Sequence, residues 1–308
     1  MTERTLQHCC TTTTSDGRPE SCCADYGRHV INDLTRTFTV DDVALAWDRW
    51  GTSVDGTPLL LCHGFSGSSH DFALQIEPLA KAREVVSIDH RGHGRSPKLG
   101  SVERYSIDRL TGDVIAFLDA QVGRPVDLLG HSMGGAISLR VTLARPELVR
   151  SLILMDTSAW SFMSPSEEIA ELMIALVEAY DPADGLPDLS AMANPEAPLI
   201  AAAASAEWQT VKQQMAAAFD PYAMKALGRA LFERDGVSVR DRLGEISVPV
   251  TVIVGEHDHP FVDQAPELAS EVPDGQLTVV AGAYHSPQLT HPSEWTAAVE
   301  GHLARLQQ

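Results

Sequence analysis

Lysine is scarce in this 308-residue chain: only Lys81, Lys98, Lys212 and Lys225 stand among its 23 basic residues. The 42 acidic residues outweigh those bases and give a formal net charge of −19. So acidic a surface excludes general binding to nucleic acid or to an anionic membrane, since both need clustered positive charge. The lysine shortage itself reads as GC-rich codon usage and carries no mechanism. No segment approaches the roughly 20 apolar residues that span a bilayer. The opening stretch, MTERTLQHCCTTTTSDGRPESCC, lacks the apolar segment of a secretory signal. A cytoplasmic protein is the expectation.

Cysteine is sparse too, and four of the five sit in two adjacent pairs, Cys9-Cys10 and Cys22-Cys23. Adjacent cysteines chelate one ion poorly, because structural zinc sites space their ligands by about two to four residues. The surrounding stretch is rich in Thr, Ser, Gly and Arg without periodicity, so residues 1–35 are expected to form a disordered tail with no metal. Cys62 ends an apolar run and reads as a small buried hydrophobe.

From residue 36 the pattern becomes orderly. Thr37–Val40 and 43–49 alternate like a hairpin around Asp41-Asp42. Short apolar runs follow at 58–62, 84–89, 126–130, 152–156, 250–255 and 277–281. Each has strand length and little alternation, as strands buried on both faces should. Between them, Ile107, Leu110, Val114, Phe117, Leu118 and Val122 make one helical stripe. Strands alternating with helices predict a mostly parallel central sheet flanked by helices. Residues 157–239 break that rhythm: they are Ala- and Met-rich, carry several prolines and contain no strand-like run. They read as a helical cap inserted into a core made of 36–156 and 240–308.

Gly130-His131-Ser132-Met133-Gly134 lies between a strand and a helix. A Gly-x-Ser-x-Gly sequence is what a serine on a sharp, strained strand-to-helix turn requires, and the helix that follows offers free N–H groups to negative charge. Ser132 is therefore the candidate nucleophile. His63-Gly64-Phe65 follows the 58–62 strand, where a loop can aim the Phe65 N–H at a developing oxyanion, with the Met133 N–H as second donor. Asp258 follows the 250–255 strand and His285 the 277–281 strand, in the order Ser…Asp…His. Asp156 and Asp263 are rival acids; Asp258 is preferred. His257 and His259 flank it, but alternating residues on a turn diverge, so metal is not expected there.

Taken together, LLLCHGFSGSS, VVSIDHRGHGRS, VDLLGHSMGGAISL, SLILMDTS, VTVIVGEHD and VVAGAYHS resemble the α/β-hydrolase superfamily, in that family's order. The resemblance implies an α/β-hydrolase fold with a cap that sets substrate choice. It also implies a Ser132–Asp258–His285 triad with no metal, nucleotide or redox cofactor. Ser132 in place of an elbow aspartate excludes the dehalogenase and epoxide-hydrolase cycles. The leading expectation is a hydrolase of a small or medium carboxylic ester or lactone. The alternatives are a carbon–carbon bond hydrolase of the aromatic ring-cleavage type, against which His131 counts mildly, and a non-turnover small-molecule binding protein. A side activity in peracid formation is a further possibility. Oligomeric state is open. In the cap, Trp160, Phe162, Met163, Met173, Ile174, Leu176, Met215, Phe219, Met224 and Phe232 are expected mainly to pack the helices together. Any of them facing Ser132 would favour an apolar substrate group. The polar residues of the loop 89–96 are expected mostly to brace the structure, His93 included.

Overall fold

The computed structural model describes residues 36–51, 56–160, 162, 167–187, 194–233 and 238–306. The expected tail 1–35, with its four cysteines, and Met163 lie outside the described residues. Eight strands run β1 Thr37–Val40, β2 Val43–Trp50, β3 Leu59–Cys62, β4 Val85–Ile88, β5 Val126–His131, β6 Val149–Met155, β7 Val250–Gly255 and β8 Gly275–Val280. They form one sheet in the order β1-β2-β4-β3-β5-β6-β7-β8. The β1–β2 hairpin is antiparallel, β2 meets β4 antiparallel, and the other pairings are parallel. This is an α/β-hydrolase sheet.

The described α-helices longer than four residues are α1 Ala73–Ala80, α2 Ile107–Phe117, α3 Met133–Ala144, α4 Glu167–Ala179, α5 Ala197–Ala203, α6 Ala206–Ala217, α7 Pro221–Phe232, α8 Phe261–Glu271 and α9 Pro292–Arg305. Alternate residues of one strand serve opposite faces of the sheet. Leu60 and Cys62 join a core with Ile107, Leu110 and Val114 of α2, Ile137 of α3 and Leu268 of α8. Leu59 and Leu61 join a second core with Ile76 of α1 and Trp295, Val299 and Leu303 of α9. The near-continuous apolar runs thus follow from helices covering both sides. β8 departs from that pattern. It is the outermost strand, and its Leu277 and Val279 are exposed, so it alternates like a half-covered edge rather than a doubly buried strand.

Between β6 and β7 the described residues form helices α4 to α7 and no strand. Two of these helices start on side-chain caps. Ser205 accepts from Trp208 N at 3.1 Å, and Asp220 accepts from Tyr222 N at 2.9 Å. The second carboxylate oxygen of Asp220 accepts from Leu99 N at 2.7 Å, Gly100 N at 3.1 Å and the Tyr105 hydroxyl at 2.5 Å. One aspartate therefore both starts α7 and ties it to the loop after β4.

Two glycines let α3 pass close to the sheet. A methyl group at Gly130 would overlap the Gly134 carbonyl, and one at Gly134 would overlap the Cys62 carbonyl at the end of β3. Both obstacles are backbone, which cannot rotate away. Gly134→Ala is accordingly expected to destabilise the protein by about 1–3 kcal/mol, the range for overpacking a tight site, read as a lowered midpoint in urea unfolding. An unchanged midpoint would mean the helix can shift outward at no cost.

Candidate active site

Ser132 occupies the turn between β5 and α3 at φ 53° and ψ −119°, a left-handed backbone that a non-glycine residue adopts only under restraint. The restraint is visible. Ser132 N donates to Met155 O at 2.9 Å, while the Ser132 carbonyl accepts from Gly135 N at 2.8 Å and from Thr157 Oγ1 at 2.7 Å. These bonds engage the backbone and leave the hydroxyl at the cavity. Met133 is the first residue of α3, so its N–H has no acceptor within the helix and lies at the helix's positive end.

The loop carrying Phe65 is held by a buried histidine. His63 Nδ1 donates to Gly64 O at 2.8 Å, and its Nε2 accepts from His90 N at 3.0 Å. That pair of roles fits a neutral ring, and burial pushes the His63 pKa down accordingly. The following loop is braced as expected. Arg91 forks onto Asp113 with bonds of 2.6 and 2.5 Å, both groups buried. Arg95 Nε donates to Asp89 at 2.8 Å. His93 is fully buried against the Phe219 ring and is absent from the cavity lining.

His285 and Asp258 meet. Nδ1 of the ring lies 2.8 Å from Asp258 Oδ2, which fixes the ring and leaves Nε2 for the cavity. Phe261 stacks on one side at 5.4 Å between ring centres, and His131 lies on another at 4.8 Å. His131 Nε2 donates to the His285 carbonyl at 2.8 Å. Burial and the neighbouring His285 push the His131 pKa down to about 3, so it braces the base as a neutral ring. Burial also disfavours the charged form of His285. The Asp258 carboxylate, with Glu196 farther off, outweighs that and holds its pKa above the ordinary histidine range. Ser132 and His285 line the same cavity without a hydrogen bond between them. Such bonds are often long until substrate aligns the groups.

The rival acid Asp156 lies at the end of β6, fully buried at φ 46°. Its Oδ1 accepts from Gly255 N at 2.8 Å and its Oδ2 is buried without a partner. Burial, and Asp258 beside it, raise its pKa well above the carboxylate range. The shift favours the protonated form of Asp156, which adjoins Asp258. The other rival, Asp263, sits on the surface and pairs with His259 at 2.7 Å.

The cavity has a volume near 440 Å³. None of the described apolar residues expected in the cap lines it. Phe219 and Phe232 pack on Phe65 instead, Phe162 on Phe261, and Leu176 is exposed. Much of the remaining lining comes from residues the motifs did not mark: Glu196, Ile200, Trp208, Gln209 and Lys212, with Asp71 from the loop after β3. Lys212 Nζ bonds to the buried Asp71 carboxylate. Glu196, itself only 6% exposed, accepts from Ser286 N at 2.7 Å and from Ser286 Oγ at 3.1 Å. It thus grips the residue next to His285. A carboxylate near the ring favours the imidazolium, and a base works only when neutral. Glu196→Gln is therefore expected to move the acid limb of the kcat/KM–pH profile to lower pH. A limb that stays in place would remove Glu196 from the electrostatics of the base.

Comparison with known proteins places these features in context. A family model described as alpha/beta hydrolase fold matches residues 57–292. RutD of Azorhizobium caulinodans, named for carbamate hydrolysis, is 30% identical over 261 residues, covering 82% of this chain and 93% of that protein. The dihydrolipoyllysine-residue acetyltransferase component of the acetoin cleaving system of Pseudomonas putida is 42% identical over 114 residues. Those residues are 37% of this chain and only 30% of that protein's length. Among solved structures, Est816, described as an N-acyl homoserine lactone degrading enzyme, superposes with a TM-score of 0.60 at 26% identity. It covers 86% of this chain and 99% of its own. No described helix is long and apolar enough to cross a membrane.

Proposed function

The chain belongs to the α/β hydrolase family, and from that premise we propose that it is a serine hydrolase cleaving a small or medium carboxylic ester or lactone. The observation that carries the reading is convergence. A serine on a restrained turn and a histidine bonded to an aspartate border one cavity at the carboxyl ends of β5, β7 and β8. Relatives named for lactone degradation and carbamate hydrolysis support the same bond type, an acyl carbon carrying a heteroatom leaving group. In this reading residues 36–156 and 240–308 form the catalytic core and 157–239 the cap over it.

The chemistry follows from the positions. Ser132 Oγ attacks the acyl carbon while His285 Nε2 takes its proton, and the ring's new charge is stabilised by Asp258. The carbonyl oxygen becomes an oxyanion facing the Phe65 and Met133 N–H groups. Collapse expels the alcohol oxygen, which receives the proton from His285 and leaves an acyl-serine. Water then gives a proton to His285 and its oxygen to the acyl carbon, and the same proton returns to Ser132 Oγ as the acid departs.

The decisive experiment measures p-nitrophenyl acetate and butyrate turnover, and fluorophosphonate labelling, in the wild-type protein and in Ser132→Ala. Turnover and labelling that both require Ser132 support the proposal. Equal rates in the two proteins remove the serine from the mechanism. Wild-type protein that binds esters without turning them over would favour the non-catalytic receptor reading.

A further inference from the structure

Among the described residues, the cavity that Ser132 lines carries one lysine and no arginine, and the setting of that lysine is specific. Trp208, Gln209, Lys212 and Gln213 recur on one face of α6, and all four line the cavity. Lys212 is the sole lysine or arginine among the described lining residues. Its ammonium is anchored by Asp71, a carboxylate only 5% exposed that also accepts from Ser68 N at 3.2 Å. An ammonium has three donors, and the carboxylate anchor leaves others to turn toward the cavity, where the side chain remains about 35% exposed.

We propose that Lys212 is a specificity determinant: it receives a second, uncharged carbonyl oxygen of the substrate, such as a ketone, amide or carbamate, beyond the bond being cleaved. This rests on the reading of Ser132 as the nucleophile. A purely hydrocarbon substrate would strip water from the ammonium and return nothing. A free carboxylate is disfavoured for a different reason. Among the described residues the lining holds two carboxylates, Asp71 and Glu196, against one ammonium, so a third negative charge meets net repulsion. A neutral oxygen acceptor gains a charge-assisted hydrogen bond and avoids that repulsion. The substrate class is thus an ester or lactone bearing a further polar carbonyl.

The test compares ethyl esters of straight-chain acids with the same esters bearing a ketone at successive positions along the acyl chain. Dicarboxylic half-esters serve as the anionic comparison. In the wild-type protein the best-placed ketone should raise kcat/KM about 10- to 100-fold over its parent ester, the worth of one hydrogen bond to a charged donor. The half-ester should fall below the keto ester. Lys212→Met should bring the keto-to-parent ratio close to one, and Lys212→Arg should restore part of it. A ratio that survives Lys212→Met overturns the inference, as does an equal loss for both esters, which would mark Lys212 as a mere tether of the cap. A half-ester as the best substrate also overturns it.

Calorimetric binding of the same esters to Ser132→Ala, with and without Lys212→Met, separates the two proposals. A lysine-dependent keto preference in binding, in a protein whose wild-type form shows no serine-dependent turnover, sinks the nucleophile and keeps the recognition site. Serine-dependent turnover with no keto preference does the reverse.

Discussion

Ser132→Ala should lower ester turnover by about 10⁴-fold or more while leaving the fold in place, as removing the nucleophile of a serine hydrolase does. The two halves of that expectation have separate causes. The turn is held through the backbone, by Ser132 N on Met155 O and by the Ser132 carbonyl accepting from Gly135 N and Thr157 Oγ1. Alanine keeps each of these bonds and removes only the hydroxyl. The melting temperature should therefore stay close to that of the wild type. Chemistry without the hydroxyl would proceed by water attack on a carbonyl still polarised by the Phe65 and Met133 amides, which accounts for a small residual rate over solution. A variant that melts normally but hydrolyses esters at the wild-type rate would mean the nucleophile lies elsewhere. One that unfolds would show the hydroxyl to be part of the turn's support.

How far the sequence carried depends on what each inference required. The Gly-x-Ser-x-Gly turn was legible because its constraint is local: at Gly130 and Gly134 any side chain would collide with backbone of the same strand–turn–helix unit or of the neighbouring β3. The inner strands were legible because helices cover both faces and so keep their runs mostly apolar, with a buried charge such as Asp127 paired, to Arg150 and Ser151. β8 was legible as a strand but its exposed face was not, since its place at the edge is a property of the whole sheet order. The cavity wall was the hardest part. The spacing of Trp208, Gln209, Lys212 and Gln213 shows that they share a helix face, yet only the tertiary packing of that helix turns the face into the cavity. Phe219 and Phe232, expected mainly to pack rather than to face the substrate, lie against Phe65 and not in the cavity lining. Glu196 left no signal, because its role depends on meeting Ser286, 90 residues away.

The choice between the two neighbouring acids gives the second large effect. Asp258→Asn should cost about 10⁴-fold in kcat, as losing the orienting carboxylate of such a triad does, and His285→Ala should cost at least as much. Asp156→Asn should stay within a few-fold of wild type. The asymmetry follows from charge. His285 Nδ1 meets Asp258 Oδ2 at 2.8 Å, so an amide there can present its N–H₂ to the ring, favour the wrong tautomer and offer no charge to the imidazolium. Burial and the adjoining Asp258 carboxylate raise the Asp156 pKa well above the ordinary range, which favours its neutral form. Asparagine reproduces that neutral state and can still accept from Gly255 N. Substituting Asp156 with alanine is a different matter, since it would leave the Gly255 N–H buried without an acceptor, at about 1–3 kcal/mol of stability. Kinetics of the two asparagine variants side by side decide the assignment. A large loss in Asp156→Asn with little in Asp258→Asn would transfer the orienting role from the loop after β7 to the end of β6. Comparable losses in both would mean that the two carboxyl groups act on His285 as a single unit.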